Sequence, residues 1–559
     1  ALAQVWAEVL NIDRAGANDN FFELGGDSIL CIQIVARAHQ AGLQLTPTQI
    51  FQRQTIAELA AVVSRVPVFR AEQGPVVGPL PLTPIQHRFF EMGLPDPHYW
   101  NMSVLLEARR PLDPPWLQRA VRHLLNHHDA LRLRFERRGS DWHQVNANPL
   151  ETTPFIRLDL SELSAAEQAL AIKEKAEELQ ASFNLSAGPL VRVALFDLGS
   201  QEPNRLLIII HHLVVDGVSW RILLEDLQTA YQQLDRGKTI QLPGRTTSFK
   251  KWAQQLAEYA QSPDLPQELD YWLAESRMQI SSLPVDYPES KRLNTVASAS
   301  TVSVSLTTEE TRALLQDVPT AYRTQINDIL LAALAQAFAQ WTGSRRLLLD
   351  LEGHGREEIL AGTNLSRTVG WFTTIFPVLL DLSKSDDPGE NIKSVKEQLR
   401  RIPNRGIGYG LLRYMREDTE ITRKLRGLPQ AEVKFNYLGQ FDQSHMEQSS
   451  FGPVLELDLF GLAYETSGPS RGLQGGRAYL LEINSSIAKD RLQLHWTYSE
   501  NTHRRISVER LAHNFGDALR LLIDHCQSPR AGGYTPSDFP EAGLSQEELD
   551  DLLAELDGR

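Results

Sequence analysis

Two stretches of the sequence place proton-transferring side chains directly after an aliphatic run. In LLIIIHHLVVDG, residues 206–217, the run stops at His211 and His212. In LLLDLEGHGREE, residues 347–358, a similar run leads to Glu352. Imidazole and carboxylate groups are common general acids and bases in proteins. The two stretches together predict acid–base chemistry.

Taken separately, each stretch also has a purely structural interpretation. A lone histidine beside an apolar run is more often a hydrogen-bonded core residue, and Glu352 and His354 between glycines are typical of a solvated loop. Residues 206–210 are short, aliphatic and largely β-branched, which predicts a buried strand. Successive side chains of a strand alternate between its faces, so we expect only one of His211 and His212 to face a given cavity.

The residues after the two histidines predict a turn and then a helix. Asp216 and Gly217 are typical of a turn, and Ser219 is expected to cap the helix. The apolar residues that follow recur with helical spacing: Trp220, Leu223, Leu224 and Leu227. A strand, a turn and a helix are therefore expected to hold an imidazole at the end of the strand.

A serine that could carry chemistry lies in FFELGGDSIL, residues 21–30. Asp27 and Ser28 open a predicted helix, so the structural interpretation is a helix cap. A Gly-Asp-Ser hydrolase would set its serine just after a strand, and no strand pattern precedes Gly25. Alternatively, Ser28 at an exposed helix start is accessible to a modifying enzyme, and a phosphate on it would lie near helix amides.

The composition excludes several classes of function. The chain has 559 residues, of which 42% are hydrophobic and 23% charged, as expected for a globular protein of two or more domains. A net charge of -14 without a long basic run argues against nucleic acid. Cys31 and Cys526 are too few for a disulfide framework, which suits the cytoplasm. No apolar run reaches the roughly 20 residues that cross a bilayer, so we expect no membrane partner.

A second histidine pair, in LLNHHDALRLRF at residues 124–135, is a weaker candidate site. The helical spacing of Val121 and His128 predicts that His128 packs on a buried helix face. His123 and His127 lie four residues apart and could bind a metal ion, but no nearby carboxylate motif supports this. We therefore predict no metal.

Periodicity and composition divide the chain into four segments. Residues 1–66 form a helical unit, whose last helix is predicted from Thr46 to Val63. Residues 67–79 are rich in proline and glycine, which indicates a linker. Strand and helix patterns then alternate over residues 80–534, which predicts an α/β domain.

The last segment, residues 535–559, predicts a short acidic helix. Ser545 and Glu548 have the spacing of a capping box, and leucines recur beside carboxylates. This helix is either a solvated chain end or a docking segment for another protein.

The motifs match a known family in the same order. FFELGGDS resembles the FFxLGGxS motif of peptidyl carrier domains, whose serine bears phosphopantetheine, and Asp27 resembles the variant found before epimerization domains. HHLVVDG resembles the HHxxxDG signature of condensation and epimerization domains of non-ribosomal peptide synthetases. The further matching strings are PLTPIQHRFF (81–90), EGHGRE (352–357), RTVGWFT (367–373), PNRGIGYG (403–410) and KFNYLGQF (434–441). Arg88 departs from the pattern, because tryptophan is frequent there.

The resemblance implies the fold of both units. A small all-α four-helix carrier domain is expected first, followed by a large α/β domain of two chloramphenicol-acetyltransferase-like lobes. The N-lobe would cover about residues 80–285 and the C-lobe about residues 286–534. The active site would lie in a tunnel between the lobes.

The resemblance also implies epimerization of an α-carbon, from L to D. The substrate would be an aminoacyl or peptidyl thioester on 4'-phosphopantetheine attached to Ser28. A thioester acidifies its α-carbon, and inversion needs a proton removed from one face and another delivered to the opposite face. We expect His212 and Glu352 to perform these transfers, and Tyr437 and Asn436 to stabilise the enolate.

Three neighbouring residues are expected to support the site. His211 would pack, Gly217 would shape the turn, and Asp216 would be structural, paired with an arginine such as Arg132. A carboxylate in a dry tunnel binds its proton more tightly than in water, so we expect this of Glu352.

Two other functions share part of the pattern. A condensation domain uses the same HHxxxDG loop, but it needs an acceptor carrier and is not expected to carry EGHGRE, RTVGWFT and FNYLGQF together. A non-catalytic docking scaffold would not need His212 and Glu352. The expected partners are a phosphopantetheinyl transferase, an upstream adenylation domain and a downstream condensation domain, the last through the helix in residues 535–559.

Overall fold

Two separate hydrophobic cores organise the chain. The computed structural model describes residues 1–65, 72–274, 277, 280–441, 458–529, 531–539 and 541–557. The smaller core contains residues between Leu2 and Leu59, and the larger contains residues between Leu80 and Cys526. Most of the predicted linker segment 67–71 lies outside the described residues, so the predicted domain boundaries stay a prediction.

Short helices and a two-stranded sheet surround the smaller core. Their bounds are α1 (Leu2–Leu10), α2 (Ser28–Gln40), β1 (Leu43–Gln44), α3 (Pro47–Gln52), α4 (Ile56–Val62) and β2 (Ser64–Arg65). The single helix predicted from Thr46 to Val63 is wrong. Thr55 starts a second helix, because its hydroxyl accepts from the N–H of Glu58 and the Glu58 carboxylate accepts from the N–H of Thr55.

The larger core lies among helices and three sheets. The helices are α5 (Pro84–Glu91), α6 (Pro114–His127), α7 (Ala165–Gln180), α8 (Gly217–Asp235), α9 (Phe249–Ala260), α10 (Leu269–Trp272), α11 (Thr308–Tyr322), α12 (Ile326–Thr342), α13 (Pro388–Arg400), α14 (Ile407–Gly410), α15 (Thr419–Arg426), α16 (Arg505–Cys526) and α17 (Gln546–Asp557). The strands are β3 (Gly78–Leu80), β4 (Asn101–Ala108), β5 (Leu133–Arg138), β6 (Asp141–Asn146), β7 (Phe155–Asp159), β8 (Val191–Asp197), β9 (Arg205–His211), β10 (Ala299–Ser305), β11 (Arg346–Gly353), β12 (Thr374–Asp381), β13 (Val433–Phe441), β14 (Phe460–Leu462), β15 (Leu481–Ala488) and β16 (Arg491–Ser499).

The first large sheet, called the N-terminal sheet here, has the strand order β14-β4-β9-β8-β7. Its strand β9 is buried along its whole length, as its aliphatic run predicts. β9 pairs antiparallel with β4 and β8. The centre of this sheet thus carries His211 at its end.

The second large sheet, called the C-terminal sheet, has the strand order β10-β16-β15-β13-β11-β12. β11 and β13 run parallel, as do β13 and β15, whereas the other pairs are antiparallel. The pairing of β13 with β15 shifts register between Tyr437 and Gln440, which is a β-bulge. β11 and β13 bring Glu352, Lys434 and Asn436 to one face of the sheet, because side chains alternate along each strand.

One strand crosses between the two halves. β14 follows residue 457 in the chain but pairs with β4 in the N-terminal sheet, with Phe460 opposite Ala108. Backbone bonds extend the pairing, since Arg109 donates to Leu459 at 2.9 Å and Ala463 donates to Leu105 at 3.0 Å. The C-terminal half therefore completes a sheet of the N-terminal half.

The chain end forms the predicted capped helix. The N–H of Ser545 donates to the Glu548 carboxylate at 2.8 Å, and the N–H of Glu548 donates to the Ser545 hydroxyl at 3.3 Å. Leu549 is buried, whereas Leu552 is exposed. Among the described residues, no helix has both the length and the apolar character that crossing a membrane requires.

Candidate active site

His211 is a buried residue at the end of β9. Its Nε2 donates to the carbonyl of Pro97 at 3.0 Å, and its Nδ1 accepts from the N–H of Leu213 at 3.2 Å. Burial lowers the pKa of His211 to about 3, so the ring is neutral. Both ring nitrogens are therefore used within the fold, in agreement with a packing role.

His212 lines a cavity. Its Nδ1 donates to the carbonyl of Val215 at 2.9 Å, and because a carbonyl only accepts, the lone pair of the neutral ring lies on Nε2. The His212 and Trp371 ring centroids lie 4.4 Å apart. Burial lowers the pKa of His212, and the charge of Glu352 partly opposes this effect. His212 is thus a neutral imidazole held in one tautomer, which suits a general base.

Glu352 lies near the end of β11 and lines the same cavity. Lys434 donates from Nζ to Glu352 Oε2 at 3.3 Å and lies 3.7 Å from a carboxylate oxygen of Glu482. Burial alone would lower the pKa of Lys434, but the two carboxylates outweigh it and raise the pKa above its usual value. This cation favours ionised Glu352 and so opposes the tighter proton binding expected of a carboxylate in a dry tunnel.

One cavity of about 830 Å³ contains both groups. Its walls include His212 and Gly217 from the N-terminal half, and Glu352, Lys434 and Asn436 from the C-terminal sheet. A Cβ built on Gly217 meets no atom of the described residues within 4 Å, so this glycine leaves the space beside His212 open. A neutral imidazole and a carboxylate from opposite halves thus share one chamber.

Asn436 and Tyr437 point to different places, although they are adjacent in sequence. Asn436 lines the cavity, whereas Tyr437 is not among the residues found to line it. The hydroxyl of Tyr437 instead faces the carboxylate of Asp27, without a hydrogen bond of good geometry to any described residue. Strand alternation explains the difference. The structure does not bring Tyr437 to the expected enolate position.

Asp216 holds together three segments around the cavity. Its carboxylate accepts from the N–H of Ser219 at 2.8 Å, which caps α8, and from the N–H of Phe372 at 3.0 Å. It also lies 3.1 Å from a guanidinium nitrogen of Arg356. Asp216 rather than Ser219 is therefore the helix cap, and the predicted cap at Ser219 is wrong.

The predicted pairing of Asp216 with Arg132 is also wrong. Arg132 is fully buried, and its guanidinium donates to the carbonyls of Leu125 at 2.9 Å and Val76 at 3.0 Å. Backbone carbonyls therefore occupy the donors of Arg132, and Arg356 from the EGHGRE string takes its place beside Asp216.

Two charged features of the cavity wall are not predicted from the sequence. Lys434 stands there only as the first letter of KFNYLGQF, although its alternation with Asn436 on one strand is an available signal. Arg88, the departure from the family pattern, lies 3.1 Å from Asp350, which also accepts from the Tyr479 hydroxyl at 2.6 Å. Arg88 thus neutralises a carboxylate next to Glu352 on the same strand face.

The N-terminal unit contacts the bulge of β13. The carbonyl of Gly25 accepts from the side-chain amide of Gln440. A Cβ built on Gly439 would lie 3.1 Å from Ile29 Cδ1 and 3.3 Å from Asp27 Oδ2, and Gly439 has a φ of 90°. The glycine therefore permits both the bulge and the close approach of α2.

Further contacts flank this approach. Arg37 lies 3.9 Å from the Glu225 carboxylate, and the Asn364 side-chain amide lies 3.2 Å from His39 Nδ1. The guanidinium of Arg405 lies 4.0 Å from the centroid of the Phe51 ring. The helical unit is thus held at several points around the β13 bulge.

The position of Ser28 fits an attached phosphopantetheine. Ser28 is the first residue of α2, and its neighbours Asp27 and Ile29 approach β13. The same strand carries Asn436 into the cavity. A group attached to Ser28 would therefore begin beside the strand that leads to the candidate acid–base pair.

The structure brings together a different set of possible metal ligands from the predicted one. Ligand atoms of His127, His128 and Asp226 lie within 4.8 Å of one another. His128 Nε2 lies 2.9 Å from the Asp226 carboxylate, and Arg367 pairs with the same carboxylate at 2.5 Å. A guanidinium already neutralises this carboxylate, which favours an ion-pair network over a metal ion.

The fold and the site define a helical carrier unit joined to an α/β unit with an internal acid–base chamber. Residues 1–63 match the phosphopantetheine attachment site family, and residues 76–544 match the condensation domain family. The chain therefore belongs to the condensation domain family and carries a phosphopantetheine attachment domain at its N-terminal side. The predicted resemblance to non-ribosomal peptide synthetases and the predicted cofactor are confirmed.

Two curated relatives and one solved structure are similar to the chain. A linear gramicidin synthase polypeptide of Brevibacillus parabrevis is 51% identical over 560 residues, covering 99% of this chain and 7% of the relative. Surfactin synthase subunit 2 of Bacillus subtilis (strain 168) is 40% identical, covering 100% of this chain and 15% of the relative. The chain thus spans a small part of each.

The solved structure is the epimerization domain from the third module of tyrocidine synthetase B. It is 36% identical, with a TM-score of 0.74, and the match covers 82% of this chain and 98% of that domain. The large unit therefore has the condensation-type fold that the sequence predicted in outline.

Proposed function

We propose that the chain inverts the α-carbon of an aminoacyl or peptidyl thioester carried on Ser28. The observation that carries this proposal is the shared cavity, in which His212 from the N-terminal half and Glu352 from the C-terminal sheet are two acid–base groups on different walls. We also propose that the halves are the two lobes expected from the resemblance. The similarity to an epimerization domain supports the same reaction.

In this proposal, the pair moves one proton at a time. The thioester of the carried substrate acidifies its α-carbon, and one member of the pair removes the α-proton. The conjugate acid of the other member then delivers a proton to the opposite face of the planar enolate. The pair must therefore hold one transferable proton at the start, and the reverse reaction exchanges the two roles.

Asn436 is the proposed enolate donor. Its side chain lines the cavity on β13, two residues from Lys434, which pairs with Glu352. An amide donor directed at a developing oxyanion stabilises the transition state. Tyr437 is proposed to contact the carrier unit through Asp27, because its hydroxyl faces that carboxylate.

The decisive experiment follows the α-proton. The full chain is loaded through phosphopantetheine on Ser28 with an L-aminoacyl or L-peptidyl group and incubated in D₂O, and the released product is analysed. We expect deuterium at the α-carbon and a mixture of L and D forms. No exchange on a loaded and folded chain would refute the proposal, and amide formation with an added acceptor thioester would support condensation instead.

Variants assign the roles within this experiment. His212→Ala and Glu352→Gln should each lower the exchange rate about 10²- to 10⁴-fold without unfolding the chain. The matched controls, His143→Ala and Glu162→Gln, change exposed residues and should exchange like the unchanged chain. Ser28→Ala should prevent loading altogether.

A further inference from the structure

The C-terminal sheet presents an unusual polar face to the cavity. Cross-strand pairing aligns three rows of polar side chains over β10, β16 and β15: Thr301 with Thr497 and Glu482, Ser303 with His495 and Asn484, and Ser305 with Gln493 and Ser486. All of these side chains line the same cavity as Glu352. The alternate residues, such as Val302 and Trp496, are buried in the core. The polar face is therefore directed inward by the pleat of the sheet.

This face changes from charged to neutral along its course. Near Glu352 it contains the paired charges of Lys434 and Glu482, with Arg477 2.9 Å from the Glu482 carboxylate. Farther away, toward the edge strand β10, hydroxyl and amide groups replace the charges. Hydroxyls both donate and accept, so the far part suits uncharged peptide groups rather than ions.

The far end of the face is open. Thr301, Ser303 and Ser305 on β10 are exposed, whereas Glu482 and Ser486 on β15 are buried. β10 is the edge strand of the sheet. The cavity therefore forms a groove that starts at the buried acid–base pair and reaches the surface at β10.

The length of the groove exceeds what an aminoacyl group can occupy. Four strand spacings separate β11, which carries Glu352, from β10, and at about 4.8 Å each they span about 19 Å. An extended chain advances about 3.4 Å per residue, so about five residues fit. A single aminoacyl residue at Glu352 would leave the hydroxyl rows of β16 and β10 without contact.

We propose that this groove binds the upstream residues of a peptidyl thioester, so that the substrate is a peptide rather than a single amino acid. This inference rests on the proposed function. The groove accepts peptide backbone groups through Thr301, Thr497, Ser303 and Gln493, while the residue to be inverted lies between His212 and Glu352. The opening at β10 accommodates the N-terminal part of longer peptides.

A substrate-length series tests the proposal. The full chain is loaded on Ser28 with thioesters that share one C-terminal L-residue and carry zero to six upstream residues, and the single-turnover rate of α-deuterium exchange is measured for each. We expect the rate to rise with length and to level off at about five residues. An aminoacyl rate equal to or above the longest peptidyl rate would overturn the inference.

A double variant provides an independent readout. Thr301→Val with Thr497→Val removes both hydroxyls of a pair that are 3.3 Å apart, so no buried partner is left unsatisfied. The ratio of peptidyl to aminoacyl exchange rates should fall about 2- to 10-fold. The control Thr239→Val changes an exposed loop residue and should keep the ratio.

The outcomes separate the two proposals. Absence of exchange with every thioester on a loaded, folded chain refutes the proposed epimerization and the groove with it. Exchange that is independent of length, together with an unchanged rate ratio in the double variant, leaves epimerization intact and refutes the groove.

Discussion

Lys434 determines the charge of the acid–base chamber. Its ammonium lies between the carboxylates of Glu352 and Glu482, in a wall that is otherwise rich in neutral polar groups. An opposite charge at this distance favours the ionised carboxylate. Lys434 is therefore a positioning residue that keeps Glu352 ready to remove a proton.

Replacing Lys434 with methionine should move the pH dependence of exchange. Without the cation, Glu352 and Glu482 hold protons more tightly, so the acid limb of the pH–rate profile should shift to higher pH by about 1 to 3 units. Lys434→Arg keeps the charge and should largely restore the original profile. Single-turnover exchange in D₂O between pH 5 and 9 measures the shift, and an unchanged profile in Lys434→Met would contradict this role.

The sequence is informative about residues at the ends of strands and less so about their orientation. His212 and Glu352 are recognisable because aliphatic runs end at them. Tyr437 is expected beside Asn436, but the alternation of β13 directs its hydroxyl to Asp27. Lys434 is not predicted because its partners lie far away in the chain and only the pairing of β11, β13 and β15 brings them together.

At the scale of elements, the β13 bulge joins the carrier unit to the chamber. Burial against this bulge raises the pKa of Asp27 to about 6 from an ordinary value of 3.8, although backbone N–H groups of Leu30 and Ile29 oppose the shift. An undocked carrier would return this carboxyl to water. The docked state therefore binds a proton more tightly than the undocked state.

The docking of the carrier should weaken as the pH rises. Because the docked pKa of Asp27 is raised, docking is strongest below about pH 4, weakens between pH 4 and pH 6, and then stays constant. The difference is about 3 kcal/mol at most. Asp27→Asn keeps a capping oxygen but loses the charge, so it should dock more tightly at pH 7 and without this pH dependence.

Hydrogen exchange of residues 433–441 and small-angle scattering of the full chain would report docking. Asp13→Asn, an exposed carboxyl of the same unit, is the control and should keep the pH dependence. Equal docking of the unchanged chain at pH 4.5 and pH 7 would contradict the prediction.

Elements with strong local signals are predicted best. Capping residues and aliphatic runs locate α2 and β9, while the break between α3 and α4 is not predicted although Thr55 and Glu58 form a capping box there. The bulge has only Gly439 as a local sign, because its shape depends on pairing with β15 and on contact with Ile29.

At the scale of the whole molecule, the strand β14 ties the two halves into one structure. Phe460 in β14 is 2% exposed and packs into the larger core, which contains residues of both sheets. Sequence alone predicts two similar lobes through the family resemblance. It does not predict this exchange, because three residues with no strong alternation give no signal.

Phe460→Ala should destabilise both halves together. Loss of a buried aromatic side chain costs about 3 to 5 kcal/mol of the free energy of unfolding. Urea unfolding followed by tryptophan fluorescence and by far-ultraviolet circular dichroism should shift equally in both signals. Leu170→Ala, at an exposed position of α7, should have little effect, and two separated transitions would contradict the prediction.

The crossing of β14 also limits where this chain can be recombined. A junction between about residues 285 and 286 separates the halves along the chain, but it would leave the N-terminal sheet of a hybrid synthetase with a foreign edge strand. The sequence around β14 and that around β4 must therefore be inherited together. The smallest exchange unit that preserves its own architecture extends from β3 through α16, with both halves from one parent.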